Sequence, residues 1–596
     1  MLVSEREEYV PRHMKPAGVM EPAPRPSKNP VHMGVAAGAA RVAAGSTAAP
    51  AHMRVSEQPA NTASPETESE SDRQARVGRS QLLISVCVAI SRITGFIRTW
   101  AMGLAMGTTL LSSSYQVACN LPNQLYELVV AGMLTTAFLP VYMSVREKAG
   151  TKGASEYTSN LVSIVLVLMG AVTLLGFVFA AQLVYTQSFS AASDFDFDLS
   201  VYFFRFFVIE VVLYALSSIF SGVLNAERDY FWSSAAPIFN NFVTTASFFA
   251  YAFLADSNPQ LALVLLALGN PLGVLVQVVC QMPSMYRHGI RLRFRIDLHD
   301  PLLKETLKIG VPSVIVMASS FVTTSVQSSA SLSVVATGAS ITYYARLWYT
   351  LPYAILTVPI TTAMFTELSD SWAKEDRESF VRGLTSGVSQ ILFFMVPFMI
   401  FLMVFSVPLI SILAAGKFDS EALQMTADYL GTYALTLPFY AICMYLQKVV
   451  SAMRRMGLYA LASVIASVVQ VVMLLGFTQY FGLNFVAFSS TVFFLLIDVV
   501  VFVSLRKNLG PLGLSKVIAA FVKSLLLGLA GGIVAFIVLG VLTFFMGNCA
   551  GNTMLSMLYC VLAGLPAVAV TYGLAFIFNL PEAKLIKGLV RRFARR

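Results

Sequence analysis

The chain has 596 residues, of which 56% are hydrophobic and 12% charged, and its mean hydropathy is +0.70. A soluble chain carries roughly 25% charged residues because its surface faces water. Half that share over this length leaves too little polar surface for soluble domains, so the composition calls for a polytopic membrane protein.

Residues 1–79 differ from the rest. They are rich in Pro, Ala and Ser, hold one aromatic residue (Tyr9), and carry the acidic run Glu66-Thr-Glu-Ser-Glu-Ser-Asp72. Such a segment buries too little apolar surface to offset its ordering entropy and is expected to be a disordered tail. Its start, Met1-Leu-Val-Ser-Glu-Arg-Glu-Glu8, has no apolar core of a signal peptide. Beyond it, apolar runs long enough to cross a bilayer recur near 82–105, 112–143, 157–185, 200–224, 233–255, 261–285, 304–330, 341–367, 383–413, 421–450, 457–479, 483–505, 516–546 and 553–579. None shows the period-2 alternation of a transmembrane barrel. The expected fold is all-α, with about 14 transmembrane helices. An N-lobe (80–285) and a C-lobe (286–505) of six helices each precede two further helices (506–580) and a basic tail (581–596).

Loop charges sort by side. Arg146, Lys148 and Lys152, then Arg287, Arg291, Arg293 and Arg295, then Arg454 and Arg455, Arg506 and Lys507, and the C-terminal Lys and Arg residues all fall on one side. The opposite loops hold Lys417 beside Asp194, Asp196, Asp198, Asp256 and Asp419. By the positive-inside rule both termini are cytoplasmic. The same distribution accounts for the net charge of +9 without a nucleic-acid partner.

Charges inside the spans are expensive and normally face a cavity or a partner. Arg92 and Arg98 lie on span 1, six residues apart, so about 9 Å along the axis and about 120° around it. They suit a broad cavity, and Gly95 between them permits bending or close helix approach. No carboxylate precedes them within a turn. Unpaired guanidinium groups at depth point to an anionic ligand with phosphate oxygens, whose geometry matches the arginine fork. Pairing with Glu127 or Asp498 on another helix is the competing reading. Arg205, near the end of span 4, is a candidate ligand or an interfacial residue, and Lys448 can snorkel to the membrane surface. Pro122, in Asn120-Leu-Pro-Asn123, breaks the ladder of span 2, which is tolerated beside a cavity or a neighbouring helix. Span 7 has a polar face of Ser319, Ser320, Thr323, Thr324, Gln327 and Ser331. Packing through small hydroxyls is its commoner cause, and a lined aqueous path the second.

The six cysteines have no metal or disulfide spacing, and the five histidines lie in the tail or one loop. The chain carries no Walker, HExxH or GxSxG motif, so nothing marks it as an enzyme or names a cofactor. Val223-Leu-Asn-Ala-Glu-Arg228 is echoed by Val449-Val-Ser-Ala-Met-Arg454. Two related lobes of this kind are how many transporters alternate access around a central site.

Ser91-Arg92-Ile-Thr-Gly95-Phe-Ile-Arg98, Asn120-Leu-Pro-Asn123, Gly132 and Ala137-Phe-Leu-Pro140 resemble the first two helices of the MurJ/MviN family. Leu224-Asn-Ala226, Pro237, Asn240, Tyr343-Tyr-Ala345 and Leu351-Pro352 also fit. The resemblance implies a bacterial cytoplasmic-membrane flippase of the multidrug/oligosaccharidyl-lipid/polysaccharide superfamily. Its substrate would be lipid II, the undecaprenyl-pyrophosphate-linked peptidoglycan precursor, with membrane lipids and cell-wall synthesis proteins as further partners. It implies that Arg92 and Arg98, with Arg346, Asn123 and Arg205, bind the substrate, that Gly95, Pro122, Tyr126 and Gln327 support them, and that the last two helices form a groove for the polyprenyl tail. Three positions depart from the family pattern. Tyr126, beside Glu127, stands where many members have Arg, Ala131 where an acid is expected, and the arginine of span 8 comes one position early, as Arg346, with Leu347 in its place. A flippase for another polyprenyl-linked glycan and a non-transporting scaffold of envelope synthesis are the alternatives.

Overall fold

Among the described residues the long apolar runs are helical, because in a bilayer the backbone must satisfy its own hydrogen bonds. The computed structural model describes residues 70–131, 138–297, 301–414 and 416–583. The expectations for residues 1–69, for Gly132 and Ala137, for the side chains of Ala131 and Pro140, and for the tail from 584 lie outside the described residues. The first half comprises α1 (Glu70–Ala105), α2 (Leu110–Tyr126) with a π-helical turn (Glu127–Ala131), α3 (Leu139–Val178), α4 (Ala180–Ser188), α5 (Phe197–Phe207), α6 (Glu210–Ala226), α7 (Tyr230–Leu254) and α8 (Pro259–Arg287). The second half comprises α9 (Pro301–Val334), α10 (Gly338–Pro352) with a π-helical turn (Tyr353–Thr357), α11 (Val358–Ala373), α12 (Arg377–Val404), α13 (Ser406–Leu413), α14 (Ser420–Ala434), α15 (Leu437–Ala452), α16 (Met456–Phe481) and α17 (Leu483–Leu509). Two further helices follow, α18 (Leu514–Met546) and α19 (Thr553–Ile577).

The expected tail is corrected at its end: residues 70–79 are the first turns of α1. Once an apolar helix is nucleated, adding Pro-free residues such as Arg76 and Ala75 is far easier than starting a new one. Among the described residues nine helical stretches are long and apolar enough to cross a membrane, and ten when the bent pair α14–α15 counts as one span. The chain is thus an all-α, multi-pass membrane protein. Helices α1, α2, α7 and α9 fall outside that set. They carry Arg92 and Arg98, Asn120 and Asn123, Asn240 and Asn241, and the hydroxyl face of span 7.

Buried apolar side chains gather in two large cores. One includes Tyr115, Phe203, Phe204, Phe207 and Phe220 from α2, α5 and α6. The other includes Phe380, Tyr429, Leu446 and Val501 from α12, α14, α15 and α17. Helix α18 lies against α12 through Gly528, where an added Cβ would come within 2.9 Å of Pro397 Cα, so small residues let these backbones approach.

The hexapeptide echo is also an echo of backbone. Arg228 and Arg454 both adopt left-handed φ, 62° and 56°. At the first turn Arg228 N–H donates to Asn225 O (3.2 Å) and Asp229 N–H to Leu224 O (2.8 Å). At the second, Arg454 N–H donates to Ser451 O (2.9 Å) and Arg455 N–H to Val450 O (2.8 Å). The offsets are identical, and in both cases a new helix, α7 or α16, starts two residues after the left-handed residue.

At the end of the molecule away from these basic turns the halves meet. Tyr344 OH donates to Gly107 O (3.1 Å), Ser340 N–H to Ser113 Oγ (3.2 Å), and Ser190 shares a 2.8 Å contact with Ser329. Gly107 (φ 57°) packs on the backbone of Lys417, where no side chain would fit.

Candidate functional site

The helices that meet at this seam carry the arginines inward. Arg98 lies seven residues before the end of α1, and Arg346 eight residues after the start of α10. At 1.5 Å per residue they sit about 10 and 12 Å from the closed end, at matching depth on facing helices. Both line a cavity of about 390 Å³ together with Arg92, Asn240, Asn241 and Tyr343. Arg92 and Arg346 are exposed and Arg98 is half-buried. Among the described residues none of the three guanidinium groups has an ion-pair or hydrogen-bond partner. Pairing with Glu127 or Asp498, the competing reading of the sequence, is therefore not what the fold does. Three cations around one cavity, without an ion-pair or hydrogen-bond partner among the described residues, give an arrangement in which each fork can hold two oxygens of an anion.

The shift of the span 8 arginine by one position does not remove it from the cavity, since Arg346 and Leu347 both line it. Gly95 also lines it, and an added Cβ there would stand 3.6 Å from Asn241 Nδ2. That amide donates to Ser91 O (3.2 Å) and Thr94 Oγ1 (3.0 Å), so α7 holds the turn of α1 that carries Arg92. Asn241 and Thr350 are cavity residues that sequence reasoning missed. For Asn241 the available signal was the polar pair it forms with the adjacent Asn240 in an apolar run.

Other candidates fall elsewhere. Arg205 is corrected: it is exposed on α5 with its guanidinium 6.0 Å from the Phe177 ring centroid, apart from the other arginines. On the same spanning stretch Glu210 is buried, and its carboxylate accepts from Asn270 Nδ2 (3.1 Å) and Tyr214 OH (3.2 Å). Asn123 donates to Glu127 Oε1 (3.0 Å) one turn away. Pro122 is buried, and Tyr126 packs on the first core with its ring 6.0 Å from that of Tyr214. Lys448 lies 5.7 Å from the Phe365 ring centroid.

Two further cavities adjoin the first through α10. A polar chamber, also of about 390 Å³, takes in Ser319, Ser320, Thr323, Thr324 and Gln327 of α9, with Glu127, Tyr433 and Gln447, and shares Arg346 with the arginine cavity. Gln327 Nε2 donates to Ser490 Oγ at 3.1 Å. All of the polar face of span 7 except the buried Ser331 thus lines a chamber, where packing was the commoner expectation. Ser325 and Ser329, on the other side of α9, do the packing, bonding Gln187 (2.8 Å) and Ser190. Asp498 is buried, and among the described residues neither of its oxygens has a hydrogen-bond partner. The other neighbour is an apolar groove of about 520 Å³ lined by Trp348, Phe398, Phe401, Phe405, Leu565 and others, and it shares Leu351 with the arginine cavity. Its walls are α10, α12, α13 and α19. Of the last two helices, from which the resemblance implied a tail groove, α19 lines this one, while the glycine face of α18 packs on α12 and α19.

The family model for the lipid II flippase MurJ matches residues 102–560. The chain belongs to the MurJ family. A relative described as a probable lipid II flippase MurJ, from Borreliella burgdorferi, is 23% identical over 75% of this chain and 87% of its own. One from Bdellovibrio bacteriovorus, described in the same words, is 25% identical over 86% of this chain and 97% of its own. Among solved structures, a lipid II flippase MurJ in an inward closed conformation superposes with a TM-score of 0.67 at 20% identity, covering 83% of this chain and 99% of that one. That likeness is one of fold.

Proposed function

We propose that the chain moves lipid II between the leaflets of the bacterial cytoplasmic membrane by alternating access, with the basic end of the bundle and both termini in the cytoplasm. The single observation that carries this reading is the sharing of α10 by three chemistries. Arg346 joins the arginine cavity to the polar chamber, and Leu351 joins it to the apolar groove. A lipid-linked precursor has the same three parts in the same order: a sugar–peptide headgroup, a pyrophosphate and a hydrocarbon tail. Arg92, Arg98 and Arg346 take the pyrophosphate, and the tail follows the groove beyond Leu351. Asn123 borders the headgroup side through its bond to Glu127, while Gly95, Pro122, Tyr126 and Gln327 shape the walls. The relatives' descriptions as lipid II flippases support the choice of substrate.

The test is replacement of a depleted lipid II flippase by this chain, at matched expression, reading lipid II at the outer surface. Restoration by the natural chain and failure of Arg92→Ala and Arg98→Ala support the mechanism. Variants that work as well as the natural chain refute the role of the arginines. Failure of the well-inserted natural chain points to another polyprenyl-linked glycan.

A further inference from the structure

A basic pocket of about 670 Å³ lies away from the arginine cavity, between α12, the start of α18 and the short turn Pro581–Ala583. It is a built feature. Thr385 of α12 donates to Leu512 O (3.0 Å), tying the link between α17 and α18 onto α12, and Gly513 (φ 63°) turns beside Thr385, where an added Cβ would stand 3.3 Å from its methyl. Arg382, Lys516 and Lys523 line the pocket with Ser386, Ser389 and Gln390. Among the described residues the other charge facing it is Glu582, one of whose oxygens is buried without a hydrogen-bond partner. Arg382 reaches Glu378 outside the pocket at 3.7 Å.

Lys516 and Lys523 are seven residues apart, so about 10 Å along α18 and about 20° around it. Beside them Ile518, Val522 and Leu526 form an exposed apolar stripe (53%, 46% and 62% exposed). A lysine set among such side chains has its stem in hydrocarbon and its ammonium reaching for an anion. Pockets of this kind between transmembrane helices, at the basic end, suit lipid headgroups. We propose that this pocket binds the headgroup of an anionic phospholipid. The phosphate lies on Arg382, Lys516 and Lys523, a headgroup hydroxyl donates to Glu582, and the acyl chains cover the apolar stripe of α18. The adjoining stripe is what favours a lipid over free phosphate.

The test uses the purified full-length chain in neutral detergent, with binding read by native mass spectrometry. The probes are phosphatidylglycerol and phosphatidylcholine with identical acyl chains, and glycerol phosphate as a headgroup alone. Phosphatidylglycerol is expected to be retained preferentially. Lys516→Gln with Lys523→Gln should weaken it about 25-fold, near fivefold per lysine. Lys374→Gln with Lys507→Gln, at the same end but outside the pocket, should leave it unchanged, and thermal melts establish that both variants are folded. Equal retention of the two lipids, or a folded double variant that binds as before, overturns the proposal. So does displacement of the lipid by equimolar glycerol phosphate, which would assign the pocket to a soluble phosphate. Since the readout is lipid retention, the result is independent of transport by the arginine cavity.

Discussion

Removing the Arg98 guanidinium separates a ligand-binding role from a structural one. Arg98 is half-buried on α1 and, among the described residues, has no ion-pair or hydrogen-bond partner. Arg98→Ala therefore breaks no ion pair or hydrogen bond among the described residues, and its effect on folding should be small, with a melting temperature within about 2 °C of the natural chain. Its effect on a pyrophosphate should be large. A fork holding two phosphate oxygens makes hydrogen bonds worth about 1.5–3 kcal/mol each, and water recovers part of that when the fork is absent. A net loss of about 2–3 kcal/mol corresponds to roughly 30–150-fold weaker binding. Arg98→Lys keeps the charge without the fork and should lose about tenfold. Isothermal titration of the purified chain with a short-chain polyprenyl pyrophosphate reads these differences. An affinity within about threefold of the natural chain, combined with a melting temperature lowered by more than about 5 °C, would refute the reasoning and make Arg98 a structural residue.

Three further outcomes are expected. Asn241→Leu removes two hydrogen bonds between α7 and α1 and should cost about 1–2 kcal/mol; an unchanged thermal melt would show that α1 is held by other contacts. Gly564 lies on the apolar groove with Phe405 Cζ 4.0 Å from an added Cβ. Gly564→Leu should fold normally yet bind long-tailed polyprenyl pyrophosphates about tenfold more weakly, at about 0.8 kcal/mol per excluded methylene, leaving short-tailed ones untouched. Equal loss for both tails would place the tail elsewhere. Glu227 caps α6 outside the spans, where burial pushes its carboxyl up but hydrogen bonds from Arg146 (2.7 Å) and Tyr142 (2.7 Å) outweigh this and hold it below the usual range. A carboxyl lowered in the folded state stabilises it above the ordinary value of about 4.3, and that contribution is lost as pH falls through the folded value. The stability difference between the natural chain and Glu227→Gln, read as denaturation midpoints, should be constant from pH 6 to 8 and shrink below about pH 4; a difference flat across the whole range would contradict it.

How much of the site was legible varied with the kind of signal. Arg92 and Arg98 were conspicuous because a charge within an apolar run is costly wherever it ends up. Arg205 carried the same signal, but it is exposed on α5 beside Phe177, in keeping with the interfacial alternative. Hydropathy reports the run in which a residue sits, and not the side of the helix that meets a neighbour. The hydroxyl face of α9 was visible as a face, but alternate sides of it serve packing and chamber. Only their neighbours separate the two uses: Ser325 meets Gln187, and Thr323 lines the chamber.

Composition and periodicity by themselves determined a helical membrane protein, because a bilayer admits no other continuous solution for long apolar runs. The echoed hexapeptides likewise marked turns whose hydrogen-bond offsets the backbone repeats. Tertiary structure decided which residues share a cavity. Arg346 faces Arg98 because α1 and α10 run inward from a common seam at nearly equal distances, a relation between segments some 250 residues apart that no local pattern encodes. It also decided the walls of the apolar groove, since α18 spends its glycine face on α12 and leaves α19 to complete the groove. Such contacts are set by the shapes of distant surfaces fitting together, and they come into being only when the helices pack.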